Sequence, residues 1–436
     1  MREMKDSGIE WIGEIPKDWK VKNLKYFVSF QTGGTPRNKE GIDSYGDFSW
    51  FTPSDLDNNN LVNSKFYISS DAVKNNGYNL FPPNSVLLCC IASVGKVGLN
   101  LYASYSNQQI TGLIPFTNTQ SKFIFYFMIA SKDKISFDAS SNVVPIINTK
   151  YLSSFSICFP DFVVQQQIAN FLDTKCSEID ATAEDIQKEI SLLEDYKKSV
   201  ITEAVTKGLN PDAEMKDSGI EWIGEIPKDW KVVRLEFLSW VRARLGWKGL
   251  KADEYVDEGY PFLSAFNIQD SKIKWEPLNF ITKERFDESP EIMLACGDVL
   301  LLKDGAGVGK CARIDSLPKG DSTVNSSLAV ITCFDNLNYR YLYYSFNSSF
   351  FSNLINLKLN GMGVPHLTQE ELRKFIVLLP CVKEQQQIAD FLDTKCSEID
   401  TLIADKKRQL DILADYKKSL IYEYVTGKKE VPVKDF

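Results

Sequence analysis

Histidine is almost absent: the 436 residues hold one, His366. Ser/His/Asp or Cys/His catalysis would have to run through that side chain, and a structural histidine is the simpler expectation. The nine cysteines are an odd number with no Cys-x-x-Cys pair, and Cys89 and Cys90 are adjacent. Neither a disulfide framework nor a zinc ribbon fits that pattern, so reduced thiols and no metal are expected. Long apolar runs are missing too. The longest, FIFYFMIA from Phe123, is much too short to cross a bilayer. With no secretory leader pattern in MREMKDSGIEW, the expected setting is the cytoplasm, away from membranes.

An excess of positive charge is also lacking, since the net charge is -8. Divided along the chain, however, the acid is local. Residues 22–160 carry 11 basic and 8 acidic residues, and residues 161–214 carry 5 and 12. Residues 233–380 carry 17 and 18, and residues 381–436 carry 10 and 11. Whole-chain charge therefore says little about what each segment touches, and nucleic acid stays open as a ligand. The acidic 161–214 segment reads either as a solvated helix face or as a surface for protein partners.

Catalytic signatures come close and fail. GAGVGK from Gly305 lacks the first glycine and the final Ser/Thr of a phosphate loop, and ASVGKV in the first half fails in the same way. PDAEMK from Pro211 has nuclease letters, but its acidic residues are too close together to come from separate strands around a metal. FPPN from Phe81 is not an amino-methyltransferase loop, and no glycine-rich S-adenosylmethionine loop accompanies it. No catalytic residue and no cofactor of this chain's own is expected.

What the chain has is two copies of one plan. MKDSGIEWIGEIPKDWKV from Met4 returns letter for letter at Met215, and QQQIANFLDTKCSEID from Gln165 returns at Gln385 with Asn170 changed to Asp390. The period is far too long for a solenoid. Each half runs from the tryptophan-containing opening, through a mixed stretch rich in aromatics, Gly and Asn, to a long polar segment with apolar residues at helical spacing. In the first such segment Leu172, Ile179, Ile186, Leu193 and Val200 recur every seven residues, with Cys176, Ala183, Ile190, Lys197 and Ala204 four places behind each. With no Pro or Gly between Val163 and Lys207, this spacing predicts a helix of about 45 residues, roughly 65 to 70 Å long, ended by Gly208 and Pro211. The second copy repeats the seam through Leu392, Cys396, Ile399, Ile403, Leu410, Leu413, Leu420 and Tyr424, and Lys406 and Lys417 interrupt it. Neither helix would be stable alone, so each is expected to pack on the other as a spacer.

The mixed stretches read as α+β modules on one scaffold. NSVLLCCIA and GDVLLLKDG are strand-like at matching places, and Pro145, Leu152, Phe155 and Pro160 match Pro365, Leu372, Phe375 and Pro380. Between these anchors the halves diverge, VSFQTGGTPRNKE facing SWVRARLGWKGLK. The first loop offers Gly33, Gly34 and Thr35 for close backbone approach, and Arg37, Asn38 and Lys39 for phosphates and base edges. The second offers Arg242, Arg244 and Lys248 around Gly246 and Trp247. Lys96 and Lys310 add cations at matching places. A solvated turn is the alternative for each loop alone, and two loops at equivalent sites favour recognition.

The duplicated SGIEWIGEIPKDW opening, the GGTP and ARLGWKGL loops, and the QQQIAxFLD start of each long helix together closely resemble the DNA-specificity subunit of Type I restriction–modification systems, over essentially the whole chain. The resemblance implies a non-catalytic, cytoplasmic chain with two α/β target-recognition domains joined by two long antiparallel helices in a coiled coil. On that plan residues 1–160 and 215–380 are the recognition domains, and 161–214 and 381–436 are the helices with their linkers. It further implies double-stranded DNA with a bipartite target, and modification subunits that bind S-adenosylmethionine and methylate adenine. Restriction subunits are further partners in such systems. The alternative is a free-standing bipartite DNA-binding regulator, and a protein-interaction scaffold without DNA is a third reading.

Overall fold

The computed structural model describes residues 2–35, 41–139, 144–221, 223–244, 254–305, 307–359 and 366–432. They form two compact units, Met1–Ile186 with Arg408–Phe436, and Gln187–Lys407. Among the described residues no helix is long and apolar enough to cross a membrane.

In the first unit Val86–Cys89 is the central strand. Ile110–Pro115 and Val97–Asn100 flank it antiparallel, Val28–Thr32 lies beyond the former, and Asn59–Leu61 lies parallel beyond the latter. All four residues of this strand are buried, as a strand covered on both faces requires. The pleat sends Val86 and Leu88 into a core with Phe123, Ile124 and Phe127 of helix Ser121–Ala130. Leu87 and Cys89 point the other way, into a core with Phe51, Leu56 and Phe81. A second sheet runs Ser104–Ser106, Phe48–Phe51, Phe66–Ile68, Ile42–Asp43.

The second unit repeats the plan. Asp298–Leu302 lies between Leu328–Cys333 and Cys311–Arg313, with Ser239–Arg242 beyond Leu328–Cys333. Val299 and Leu301 meet Tyr341 and Leu342 of helix Tyr339–Phe346, while Leu300 and Leu302 meet Leu263, Ile292 and Val324. The α+β architecture with two repeated α/β modules therefore stands, and both strand-like runs of the sequence are central strands.

The two long helices are Phe162–Lys207 and Val382–Val425. At 46 residues the first is about 69 Å long. In the first unit its early turns run antiparallel to the last turns of the second helix, with the Phe171 and Tyr424 ring centroids 4.5 Å apart. There Lys417 pairs with Asp180 at 2.6 Å. In the second unit Lys406 pairs with Glu189 at 2.5 Å and Lys197 with Asp400 at 2.6 Å. The lysines that interrupt the apolar seam thus lay their stems along it and put their charge on a carboxylate of the facing helix. Part of the acid of residues 161–214 is used inside the fold in this way.

Repeated side chains fasten each module to its helix. Gln165 is buried, donating to Pro160 O and accepting from Gln120 N, both at 2.9 Å. Gln385 donates to Pro380 O at 3.0 Å and accepts from Asn338 N at 2.8 Å. About two turns further along each helix, Asp173 receives Lys122 and the Tyr126 hydroxyl, and Asp393 receives Arg340, Arg313 and the Tyr344 hydroxyl. Burial, with these carboxylates alongside, pushes both phenols far above their ordinary range, so they stay protonated donors. The single change in the long repeat has a reason here: Asp390, where the first copy has Asn170, takes a second contact from Arg340 at 2.5 Å.

Both tryptophan openings form hairpins of identical register, Met4 opposite Pro16 and Met215 opposite Pro227. Trp19 and Trp230 are each 1% exposed. The first hairpin receives the Tyr422 hydroxyl on Trp11 O at 3.0 Å, at the end of the second long helix. The second lies against Gly208, which ends the first long helix with φ +75°, where a Cβ would come within 3.3 Å of Trp230.

Candidate nucleic-acid interface

One end of each main sheet carries the described residues singled out from sequence, Arg242 apart. In the first unit Val28–Thr32 runs out into Gly33–Thr35, beside Ser106–Gln109, which in turn lies beside Cys90–Lys96. Gly34 N donates to Ser106 O at 2.9 Å, Cys90 N to Gln109 O at 2.8 Å, and Ile147 N to Cys90 O at 2.9 Å. Ile91 and Ile146 face each other in an isolated antiparallel bridge. In the second unit Asn325–Ser327, Lys303–Gly305 with Gly307–Lys310, and His366–Leu367 occupy the same places, with Asp304 and His366 forming the bridge.

Five backbone or turn hydrogen bonds define this frame, and each recurs. Asn107 N donates to Phe51 O at 3.1 Å, and Asn325 N to Leu263 O at 2.8 Å. Gln109 N and Ser327 N each donate to the Asn side chain two residues back at 3.1 Å. Ile110 N and Leu328 N each donate to that Asn's carbonyl at 3.2 Å. The pairs Cys90 N to Gln109 O and Lys303 N to Ser327 O are both 2.8 Å. Ile147 N to Cys90 O, at 2.9 Å, has its match in Leu367 N to Lys303 O at 2.8 Å. Asparagine suits the start of such turns because its side chain substitutes for a backbone acceptor.

The sequence-selected residues fare differently at this surface. Gly33 and Gly34 are demanded by packing: a Cβ would lie 2.2 Å from Ser106 Oγ at the first and 2.7 Å from the Tyr78 ring at the second. Thr35 donates its hydroxyl to Gln108 Oε1. Lys96 is half-buried and Lys310 exposed, each just after a turn glycine, Gly95 or Gly309. Arg244 is half-buried, two residues beyond the end of strand Ser239–Arg242. Arg37, Asn38, Lys39, Gly246, Trp247 and Lys248 lie outside the described residues.

Arg242 calls for a correction. It is 7% exposed, and its Nη2 pairs with both Asp298 carboxylate oxygens at 2.9 Å while Nη1 donates to Glu291 O and Met293 O. Alternation along the strand turns its side chain inward, where Asp298, Thr332 and two carbonyls engage both terminal nitrogens. Arg242 is held in a buried structural ion pair.

Residues the sequence reading passed over sit on the same surface. Gln108, Ser326 and Lys150 are exposed, as is Lys132 beside Gly95. Lys303, almost buried, pairs with Asp304 at 2.7 Å, and the Asp304 carboxylate also meets the His366 Nδ1. The matched asparagines Asn107 and Asn325, three residues before strand residues Ile110 and Leu328, are the signal that would have found them. Burial pushes the Cys90 thiol up to about 11, which makes it an inert strand end.

The family model for the Type I restriction modification DNA specificity domain matches this chain twice, over residues 16–192 and 227–411. The chain belongs to that family. Each match covers one module and much of the long helix that follows it. The chain is 24% identical over 422 residues to the Type I restriction enzyme MjaVIII specificity subunit of Methanocaldococcus jannaschii, covering 96% of this chain and 94% of the relative. It is 30% identical over 198 residues to the EcoR124I/EcoR124II specificity subunit of Escherichia coli, covering 43% and 46%. A chain from a structural study of complex assembly and conformational transition of the type I R-M system shares the fold with a TM-score of 0.71 at 15% identity, over 95% of this chain and 99% of that one. The HsdS subunit of Thermoanaerobacter tengcongensis gives 0.50 at 16% identity, over 95% and 98%.

Proposed function

We propose that this member of the specificity family reads a bipartite double-stranded DNA sequence, one half with each module. Residues 1–160 and 215–380 are the readers, and the helices in 161–214 and 381–436 set the unread gap between half-sites. It is the non-catalytic chain of its assembly. Adenine methylation belongs to modification subunits, which bind S-adenosylmethionine, in a cytoplasmic complex; restriction subunits are further partners in such systems.

The observation that carries this reading is the repeated frame: five matching hydrogen bonds hold equivalent sheet ends, yet the side chains displayed there differ. Two readers of different half-sites need that combination. Lys96 and Lys310 with Arg244 provide cations for phosphates, and Gly33–Thr35 together with Arg37, Asn38 and Lys39 and with Gly246, Trp247 and Lys248 complete the two loops. The test is exchange of residues 22–160 for another family member's equivalent, followed by methylome sequencing of the host. One half of the methylated motif should change and the other persist. A change in both halves, or in neither, would sink the two-reader model.

A further inference from the structure

The bridge pairs at the two sheet ends occupy the same position on the repeated frame but carry opposite chemistry. Ile91 faces Ile146 in the first unit, and Asp304 faces His366 in the second. None of the four is buried. Ile146 is 45% exposed, and the side chains of His366 and Asp304 are 50% and 33% exposed. A pair serving only the bridge needs no side-chain chemistry, because its hydrogen bonds are made by backbone. Half-exposed isoleucine loses part of its burial free energy, and a polar pair at an exposed site adds little stability. Ile91 packs in part against the first unit's core, so the exposed face of that pair is chiefly Ile146.

We infer that these two pairs are specificity-determining contacts, each reading one base pair of its half-site. The inference rests on the proposed DNA-recognition function and extends it to named residues. Ile146, with the outer edge of Ile91, presents an apolar surface, which in the major groove matches the thymine 5-methyl group. Asp304 engages His366 at Nδ1 and so leaves Nε2 as the ring's outward polar atom. The other Asp304 oxygen takes Lys303 at 2.7 Å, so the carboxylate is fixed from two sides. A ring held this way reads a base edge through a hydrogen bond and is indifferent to a methyl group.

The experiment selects bound sequences from a randomised duplex pool with the full chain, comparing wild type, Asp304→Ile with His366→Ile, and Ile91→Asp with Ile146→His. The first variant should change preference at one base pair of one half-site by roughly 5- to 150-fold and leave the other half-site untouched. The second should do the same in the opposite half-site. Replacing thymine by uracil at the position read by the first unit should weaken wild-type binding there, and the same replacement at the second unit's position should not. Asp304→Asn with His366→Gln, close in size, must move the same position, which separates reading from misfolding. Unchanged motifs in the variants, or a uniform loss of affinity for all sequences, overturn the assignment while leaving DNA recognition intact. A wild-type chain that selects no sequence overturns both.

Discussion

Replacing Arg242 by alanine should unfold the second unit before it disturbs DNA recognition. The guanidinium holds both oxygens of Asp298, which is 0% exposed, and donates to two backbone carbonyls. It also lies over the Trp240 ring at 4.9 Å. Removing one partner of such a pair strands a buried charge, at a cost of about 3 to 5 kcal/mol. In a unit of this size each kcal/mol lowers the melting temperature by about 2 to 4 °C, so a fall of about 6 to 20 °C is expected. Changing Asp298→Leu together with Arg242→Met removes both charges and should recover part of the loss, because an apolar pair needs no counter-charge. Differential scanning calorimetry of the three chains gives the stability. Affinity for the preferred duplex, measured well below the transition, gives recognition, and should be unchanged in Arg242→Ala. Arg244→Ala is the contrast: it should melt like wild type and bind DNA more weakly. An Arg242→Ala chain that melts within about 2 °C of wild type and loses DNA affinity would show that the buried pair has been misjudged.

Three further outcomes are expected. Trp230 Nε1 donates to Glu384 at 3.1 Å, whereas the buried Trp19 Nε1 has no partner among the described residues because Val164 stands in the equivalent place; Val164→Glu should therefore raise stability by about 1 kcal/mol in denaturant titration, and Glu384→Val should lower it by about 1 to 3 kcal/mol. At pH 8 a thiol reagent should label Cys296 and Cys381 quickly and the other cysteines only on unfolding, since burial pushes the Cys158 and Cys333 thiols up to about 12 and Cys176 and Cys396 up to about 11; a third fast thiol would contradict this packing. Inserting one heptad in both long helices, beside Ile186 and Leu410, should lengthen the unread gap of the methylated motif by roughly three base pairs, one heptad being about 10 Å; an unchanged gap in an active variant would show that the helices do not set it.

The helices and central strands were legible because their signals are local. A seam every seven residues and a continuous VLLC or DVLLL run need no knowledge of partners. Arg242 was misjudged for the opposite reason: in RARLGWK it reads as an exposed cation, and its partner Asp298 lies 56 residues away. Lys406 and Lys417 looked like faults in a seam, since the carboxylates that receive them, Glu189 and Asp180, are on the other helix. The Asp304–His366 pair was invisible because a bridge between residues 62 apart leaves no local spacing.

The repeats and the divergence between them follow from one division of labour. Wherever a module must grip its helix, side chains make the bond: Gln165 and Gln385 with the start of a neighbouring helix, Asp173 and Asp393 with a tyrosine hydroxyl, Trp19 and Trp230 under the opening hairpin. Such contacts depend on length and donor type, so a change of letter breaks them, and these letters are the same in both copies. At the sheet ends the bonds are made largely by backbone amides and carbonyls, with one asparagine per turn. Backbone bonds are the same for every residue but proline, so Cys90 and Lys303, or Gln109 and Ser327, occupy one geometry without strain. Recognition chemistry can therefore change at those positions while the modules stay fixed to their helices, which is the freedom that two readers with different targets require.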